Sequence, residues 1–241
     1  MSLLNVTGNE LICAKLSTIQ SEVSNHFNLN IGNNSIDCLV FTGGICETNG
    51  YLLKAPEGEI LVDAPEGILD WLIGEGVEPK ILMLTHQHFD HVMAASEVSE
   101  HFNCPIWAFS EYDTSLTLES LFQDSGGPAI DVKPYQIDRI ITETEELNVS
   151  GLSIHVSHVP GHSPDSICFY LEDAKALFGG DVLFQMSVGR TDFPNGDMNL
   201  LVDGIRKKIF PLNDQVTVFP GHGPETSIGF EKSNNPFLSS S

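Results

Sequence analysis

Basic side chains are scarce in this sequence. Eleven lysines and arginines stand against 33 aspartates and glutamates, a formal net charge of −22 at pH 7 over 241 residues. A field of that sign repels phosphate backbones and anionic lipid surfaces, which excludes nucleic acid and membranes as partners. Long apolar runs are missing too: no window approaches the length of a membrane span, and the first twenty residues lack the basic start and unbroken apolar stretch of a secretion signal. Cysteine is sparse and unpatterned. Cys13, Cys38, Cys46, Cys104 and Cys168 are odd in number, widely spread and free of any CxxC pair. That argues against a disulfide framework or a thiolate zinc site, and for reduced thiols and a cytoplasmic location.

With 41% hydrophobic and 18% charged residues the chain has the profile of a folded soluble protein, long enough to bury a core without covalent support. Residues 1–35 are polar and Asn-rich with no sustained period, and read as an N-terminal extension; residues 36–241 read as one domain. Short apolar runs from Asp37 onward predict a β-meander, with Pro56-Glu57-Gly58 as a hairpin turn. A short helix is expected over 67–74, a buried strand over 81–84 and an amphipathic helix over 92–102. The segment 112–122 fits helix or loop. Further strands are expected over 152–159, 166–171 and 176–178, then a helix capped by Asp197 with Leu201, Ile205 and Ile209 on one face, and a last strand over 215–219. Strands with interspersed helices in two rounds suggest an α/β fold of two packed sheets with helices outside. Oligomeric state is not legible.

What the chain does have is histidine in one place. Thr85-His86-Gln87-His88-Phe89-Asp90-His91 sets three of nine histidines and a carboxylate within seven residues, a pattern that chance would place in such a chain roughly once in a thousand. His86 and His88, two apart in an extended segment, can converge on one ion, while Asp90 and His91 have an offset that points them toward a second. Val-Pro-Gly-His162 and Phe-Pro-Gly-His222 each display a histidine in a rigid turn after a strand, and Phe-Gly-Gly-Asp181 presents a carboxylate able to bridge two ions. These make seven ligands for a two-metal site. His155 and His158 lie inside a strand pattern and read as packing or supporting residues. Arg190 could meet a substrate carboxylate or pair with Asp192 or Asp197; Phe89 could line an acyl pocket or fill its loop.

In order, THxHxDH, PGH, GD and PGHG resemble the metallo-β-lactamase fold superfamily, and more narrowly its glyoxalase II-like (hydroxyacylglutathione hydrolase-like) enzymes in the short branch without a helical C-terminal domain. The resemblance spans about residues 38–238 and implies an αββα sandwich of two mixed β-sheets flanked by helices. It implies two divalent ions, zinc first with iron or manganese as alternatives. His86, His88 and His162 would hold one ion, Asp90, His91 and His222 the other, with Asp181 between them and Asp63 in support. The implied activity is hydrolysis of a small-molecule thioester, an S-acyl thiol such as a hydroxyacyl-glutathione, by a metal-bridging hydroxide, with Asp90 helping to move the proton. The places where the long enzymes hold glutathione read Gly189-Arg190-Thr191-Asp192-Phe193 and His222-Gly223-Pro224-Glu225-Thr226 here, a departure that leaves glutathione recognition open. Alternatives are a persulfide dioxygenase with one iron on His86, His162 and Asp181, a lactonase or β-lactamase-type hydrolase, and a non-catalytic metal-binding protein.

Overall fold

Apolar side chains alternating along the strands decide the architecture. In the computed structural model, which describes residues 26–119, 121, 130–143 and 145–238, seven strands form one sheet: β1 (His26–Ile31), β2 (Asn34–Gly43), β3 (Thr48–Leu53), β4 (Ile60–Val62), β5 (Ile81–Met83), β6 (Ile106–Ala108) and β7 (Arg139–Ile140), in that spatial order. The second sheet has the order β15-β14-β11-β10-β9-β8, from β8 (Glu146–Val149), β9 (Leu152–His158), β10 (Ile167–Leu171), β11 (Ala176–Gly180), β14 (Thr217–Pro220) and β15 (Thr226–Ser227). A small hairpin, β12 (Leu183–Phe184) with β13 (Ser187–Val188), stands apart.

With a period of two, Cys38, Val40, Tyr51 and Met83 face inward, where they meet Ile154, Phe169 and Phe178 of the second sheet. Their neighbours Leu39, Leu52 and Leu82 face outward and are covered by helices α1 (Ile68–Glu75), α2 (Phe89–Val92) and α3 (Ala95–Phe102). On the far side Cys168, Leu177 and Val218 are covered by α5 (Met198–Gly204) and the π-helical turn that succeeds it over Ile205–Ile209. The layers are therefore helix, sheet, sheet, helix, as expected. α4 (Thr114–Thr117) is a single turn, and α6 (Ile228–Asn234) is the last element among the described residues. Stacked Phe178 and Phe219, 5.1 Å between centroids, with Tyr51 edge-on to both at 5.3 and 5.7 Å, pin the sheets together next to the site. Among the described residues no helix is long and apolar enough to cross a membrane.

Three expectations change. β1 falls within the stretch assigned to the N-terminal extension: Phe27, Leu29 and Ile31 alternate with His26, Asn28 and Asn30, a period of two masked by asparagine, and the strand pairs with β2 along its whole length. The folded domain thus includes His26 onward, and residues 1–25 lie outside the described residues. The helix expected over 92–102 is two helices. Ala94 N–H bonds to Ala64 O (3.0 Å) and Ala64 N–H to His91 O (2.8 Å), so the end of β4 interrupts the helical ladder and lets α2 take its own direction. Lastly, β14 is not the final element: β15 and α6 come after it, with Ser227 capping α6 at Phe230 N. The Asp197 cap is present as expected, its carboxylate accepting from Leu200 N at 3.0 Å.

Candidate metal centre

Strands β4, β5 and β6 run parallel in one sheet and β11 and β14 in the other, so the loops after β4, β5, β11 and β14 open onto a shared cleft. The loop after β5 carries His86 and His88, whose rings lie 5.0 and 4.4 Å from that of His162 between centroids. α2 then begins at Phe89 and turns Asp90 and His91 to the other side. There His91 Nε2 lies 3.2 Å from Asp181 Oδ1, and His222 Nε2 lies 3.2 Å from Asp90 Oδ2. Asp181 stands between the groups, its Oδ2 3.4 Å from both His162 Nε2 and His222 Nε2. Three overlapping sets have ligand atoms within 4.8 Å of one another: His86, His88 and His162; His86, His91 and Asp181; Asp90, His91 and His222.

The orientation of the rings is fixed from behind. His91 Nδ1–H donates to Asp63 Oδ2 (2.8 Å), His162 Nδ1–H to the Arg190 carbonyl (2.7 Å) and His222 Nδ1–H to the Cys46 carbonyl (3.1 Å), which turns each Nε2 into the cleft. Asp63 also accepts from Thr85 N (2.8 Å) and Thr85 Oγ1 (2.7 Å), and holds a left-handed φ of 59° to do so. Thr48 Oγ1 donates to Asp90 Oδ2 at 2.7 Å. Close approach is enforced by glycine: a Cβ on Gly221 would stand 2.2 Å from Asp181 Oδ1 and 2.6 Å from His91 Cε1.

A direct test of whether these residues suit a cation is the state of their buried atoms. Nε2 of His86, His91 and His162 and Oδ1 of Asp181 are buried without a hydrogen-bond partner, and each such atom costs about 1–3 kcal/mol if nothing meets it. All four are nitrogen or oxygen donors suited to zinc, iron or manganese. The charges agree. Burial and the neighbouring rings hold His86 well below the usual histidine range, and burial, then His162, brings His88 down to about 3. Burial opposes ionisation of Asp90, but His91 and the bonds from His222 and Thr48 outweigh it and set the carboxyl at about 2. Burial opposes the protonated forms of His91 and His222 as well; Asp90 and Asp181 outweigh it, raising His222 to about 10 and His91 well above the usual range. Both shifts reflect the negative charge that Asp90 and Asp181 concentrate at these rings, a charge that a divalent ion would balance.

The structure separates the other candidates. Arg190 is exposed and pairs with Asp192 through two 2.7 Å bonds, its guanidinium 4.1 Å over the Phe193 ring; its carbonyl, not its charge, serves the site. Phe89 is buried beneath the loop and also lines a cavity beside Asp90. His158 donates from Nε2 to Pro164 O at 2.8 Å and stacks on Phe109 at 4.0 Å, away from the cleft. Thr48, Thr85 and the carbonyls of Cys46 and Arg190 are supports that residue type and spacing gave no reason to single out. Asp63→Asn, which keeps the shape and weakens the grip on His91, is expected to lower metal affinity about 10–100-fold. Competition with a chromophoric chelator measures it, and unchanged affinity would remove Asp63 from the design.

Comparison with known proteins places this geometry. Residues 43–222 match the family described as the metallo-beta-lactamase superfamily. A relative from Haemophilus influenzae named hydroxyacylglutathione hydrolase GloC is 45% identical over 164 residues, 67% of this chain and 76% of its own length. Among solved structures, BLEG-1 B3 metallo-beta-lactamase superposes with a TM-score of 0.75 at 35% identity, covering 84% of this chain and all of its own. TTHA1623 in a di-iron-bound form does so with 0.73 at 33% identity, covering 83% and 99%. With the family's match running across both sheets from the end of β2 to the last histidine of the cleft, the chain belongs to the metallo-beta-lactamase superfamily.

Proposed function

We propose that this metallo-hydrolase cleaves thioesters, R–CO–S–R′ plus water giving a carboxylic acid and a thiol. The observation that carries the reading is the set of orphaned inward atoms: Nε2 of three histidines and one Asp181 oxygen converge between two clusters of ligands. The likeness to a hydroxyacylglutathione hydrolase supports the thioester as substrate. His86, His88 and His162 would hold one ion and Asp90, His91 and His222 the second, with Asp181 placed between the two groups. Two divalent ions, zinc first and iron or manganese as alternatives, supply when bound an acidified water and a Lewis acid for the carbonyl. Asp90, held ionised and fixed through Oδ2 by Thr48, has Oδ1 left to orient the attacking water. Asp90 stays a carboxylate at neutral pH, so its part is to accept a hydrogen bond from the water and orient it. The substrate is a small molecule, since the net charge of −22 disfavours polyanions. The free thiols Cys38, Cys46, Cys104 and Cys168 fit a cytoplasmic setting.

Metal analysis of the purified protein paired with thioester-hydrolysis and persulfide-oxidation assays tests the reading. About two equivalents of metal with thioester turnover are expected. One iron per chain with oxygen uptake on a persulfide would overturn it.

A further inference from the structure

A cavity of about 220 Å³ opens beside Asp90. Its walls are Ile45, Phe89, Met93 and Ile130, and its only charged members are Asp90 and Glu66. The parts come from separate elements. Ile45 sits in the loop between β2 and β3, next to the Cys46 carbonyl that orients His222. Phe89 and Met93, four residues apart, flank the turn of α2. Glu66 lies just before α1, exposed, and its side chain makes no ion pair or hydrogen bond among the described residues. Ile45 is 67% exposed, more than any other large apolar side chain among the described residues. An isoleucine left in water at the mouth of an apolar cavity gains most from a ligand that covers it.

We propose that this cavity is the acyl pocket, taking an uncharged apolar acyl chain of a few carbons and turning away acyl groups that end in a carboxylate. The inference rests on the thioester reading of the same site. Asp90 belongs both to the ligand cluster and to the cavity wall, so an acyl carbonyl placed for attack directs its chain into the cavity. At about 220 Å³ the space falls below the roughly 300–1,000 Å³ of sites for drug-sized ligands; it fits an acyl group and leaves the thiol carrier outside. Four apolar walls reward methylene groups. Glu66 at the rim, the carboxylate of the wall that lies outside the ligand cluster, repels a carboxylate on the acyl chain.

The test is a series of S-acyl-N-acetylcysteamines hydrolysed by the metal-loaded enzyme: acetyl, butyryl, hexanoyl and succinyl. kcat/KM is expected to rise about threefold to fourfold per added methylene, and succinyl to fall about tenfold or more behind butyryl. Met93→Trp, which fills the cavity, is expected to erase the gain from butyryl to hexanoyl at unchanged metal content. Glu66→Lys, at an exposed position that does not endanger folding, is expected to raise the succinyl rate selectively by about tenfold. A flat chain-length profile, or a succinyl rate equal to butyryl and unmoved by Glu66→Lys, would overturn the pocket while leaving the thioester reading in place. No turnover of any member overturns both.

Discussion

Asp181→Ala is expected to leave purified protein with almost no metal in either half of the site, whereas His158→Ala keeps the wild-type content. Asp181 is the one side chain whose two oxygens serve both clusters: Oδ1 lies 3.2 Å from His91 Nε2, and Oδ2 lies 3.4 Å from Nε2 of both His162 and His222. Without it the inward imidazoles lose the negative charge that draws a cation between them. The loss exceeds that from an outer partner such as Asp63, and hydrolytic activity falls by more than about 100-fold. His158, at the end of β9 in the same sheet and committed to Pro164 O and the Phe109 ring, is the matched control. Elemental analysis by plasma mass spectrometry reads both, and equal metal loss in the two variants would refute the assignment. Asp181→Asn, with the same shape and no charge, separates geometry from electrostatics.

Gly221→Ala adds one methyl group and is expected to do nearly as much damage. The new Cβ would stand 2.2 Å from Asp181 Oδ1 and 2.6 Å from His91 Cε1, with the Gly180 carbonyl carbon 3.2 Å behind. The glycine cannot retreat: its N–H donates to Gly180 O at 2.8 Å and its carbonyl accepts from Asn49 N at 2.8 Å. Asp181 or His91 must therefore leave its place. Overpacking of this kind costs about 1–3 kcal/mol, which in a chain of this size lowers Tm by several degrees. Metal content falls with it. Gly74→Ala in α1 is the contrast: a Cβ there meets nothing within 4 Å, and removing a helical glycine is expected to stabilise by about 0.5–1 kcal/mol. Thermal melts of the two variants should move in opposite directions.

Much of this was legible in the order of residues, and the failures have physical reasons. The heptad could be read as a divided ligand set because residues two apart in an extended loop share a side, whereas a helical turn swings the next side chains round its axis. α2 beginning at Phe89 does that to Asp90 and His91. The layers were legible because Leu39, Leu52 and Leu82 alternate with inward neighbours. β1 was missed because asparagine at Asn28 and Asn30 reads as loop, although on the outer face of an edge strand it has water to bond. The supports were out of reach for a different reason. A carbonyl such as Arg190 O or Cys46 O has no residue type, and Thr48 meets Asp90 only after the chain between them, a separation of 42 positions, has folded. Arg190 shows the same limit: its charge drew notice, and its charge is spent on Asp192.

The anchor of His222 on the Cys46 carbonyl spans 176 residues, and that distance has a consequence for biosynthesis. A growing chain exposes the heptad on the ribosome while β14 is still unmade. At that stage it is a partial chelator, able to catch a stray ion but without the histidine that completes the second cluster. Contacts this far apart in sequence form late, so the second cluster closes only once β14 and the loop after it have been made. A chain stalled before His222 leaves with His86, His88 and His162 in hand and no way to close the second cluster. The metal count of nascent and truncated chains would thus mark how far translation had run.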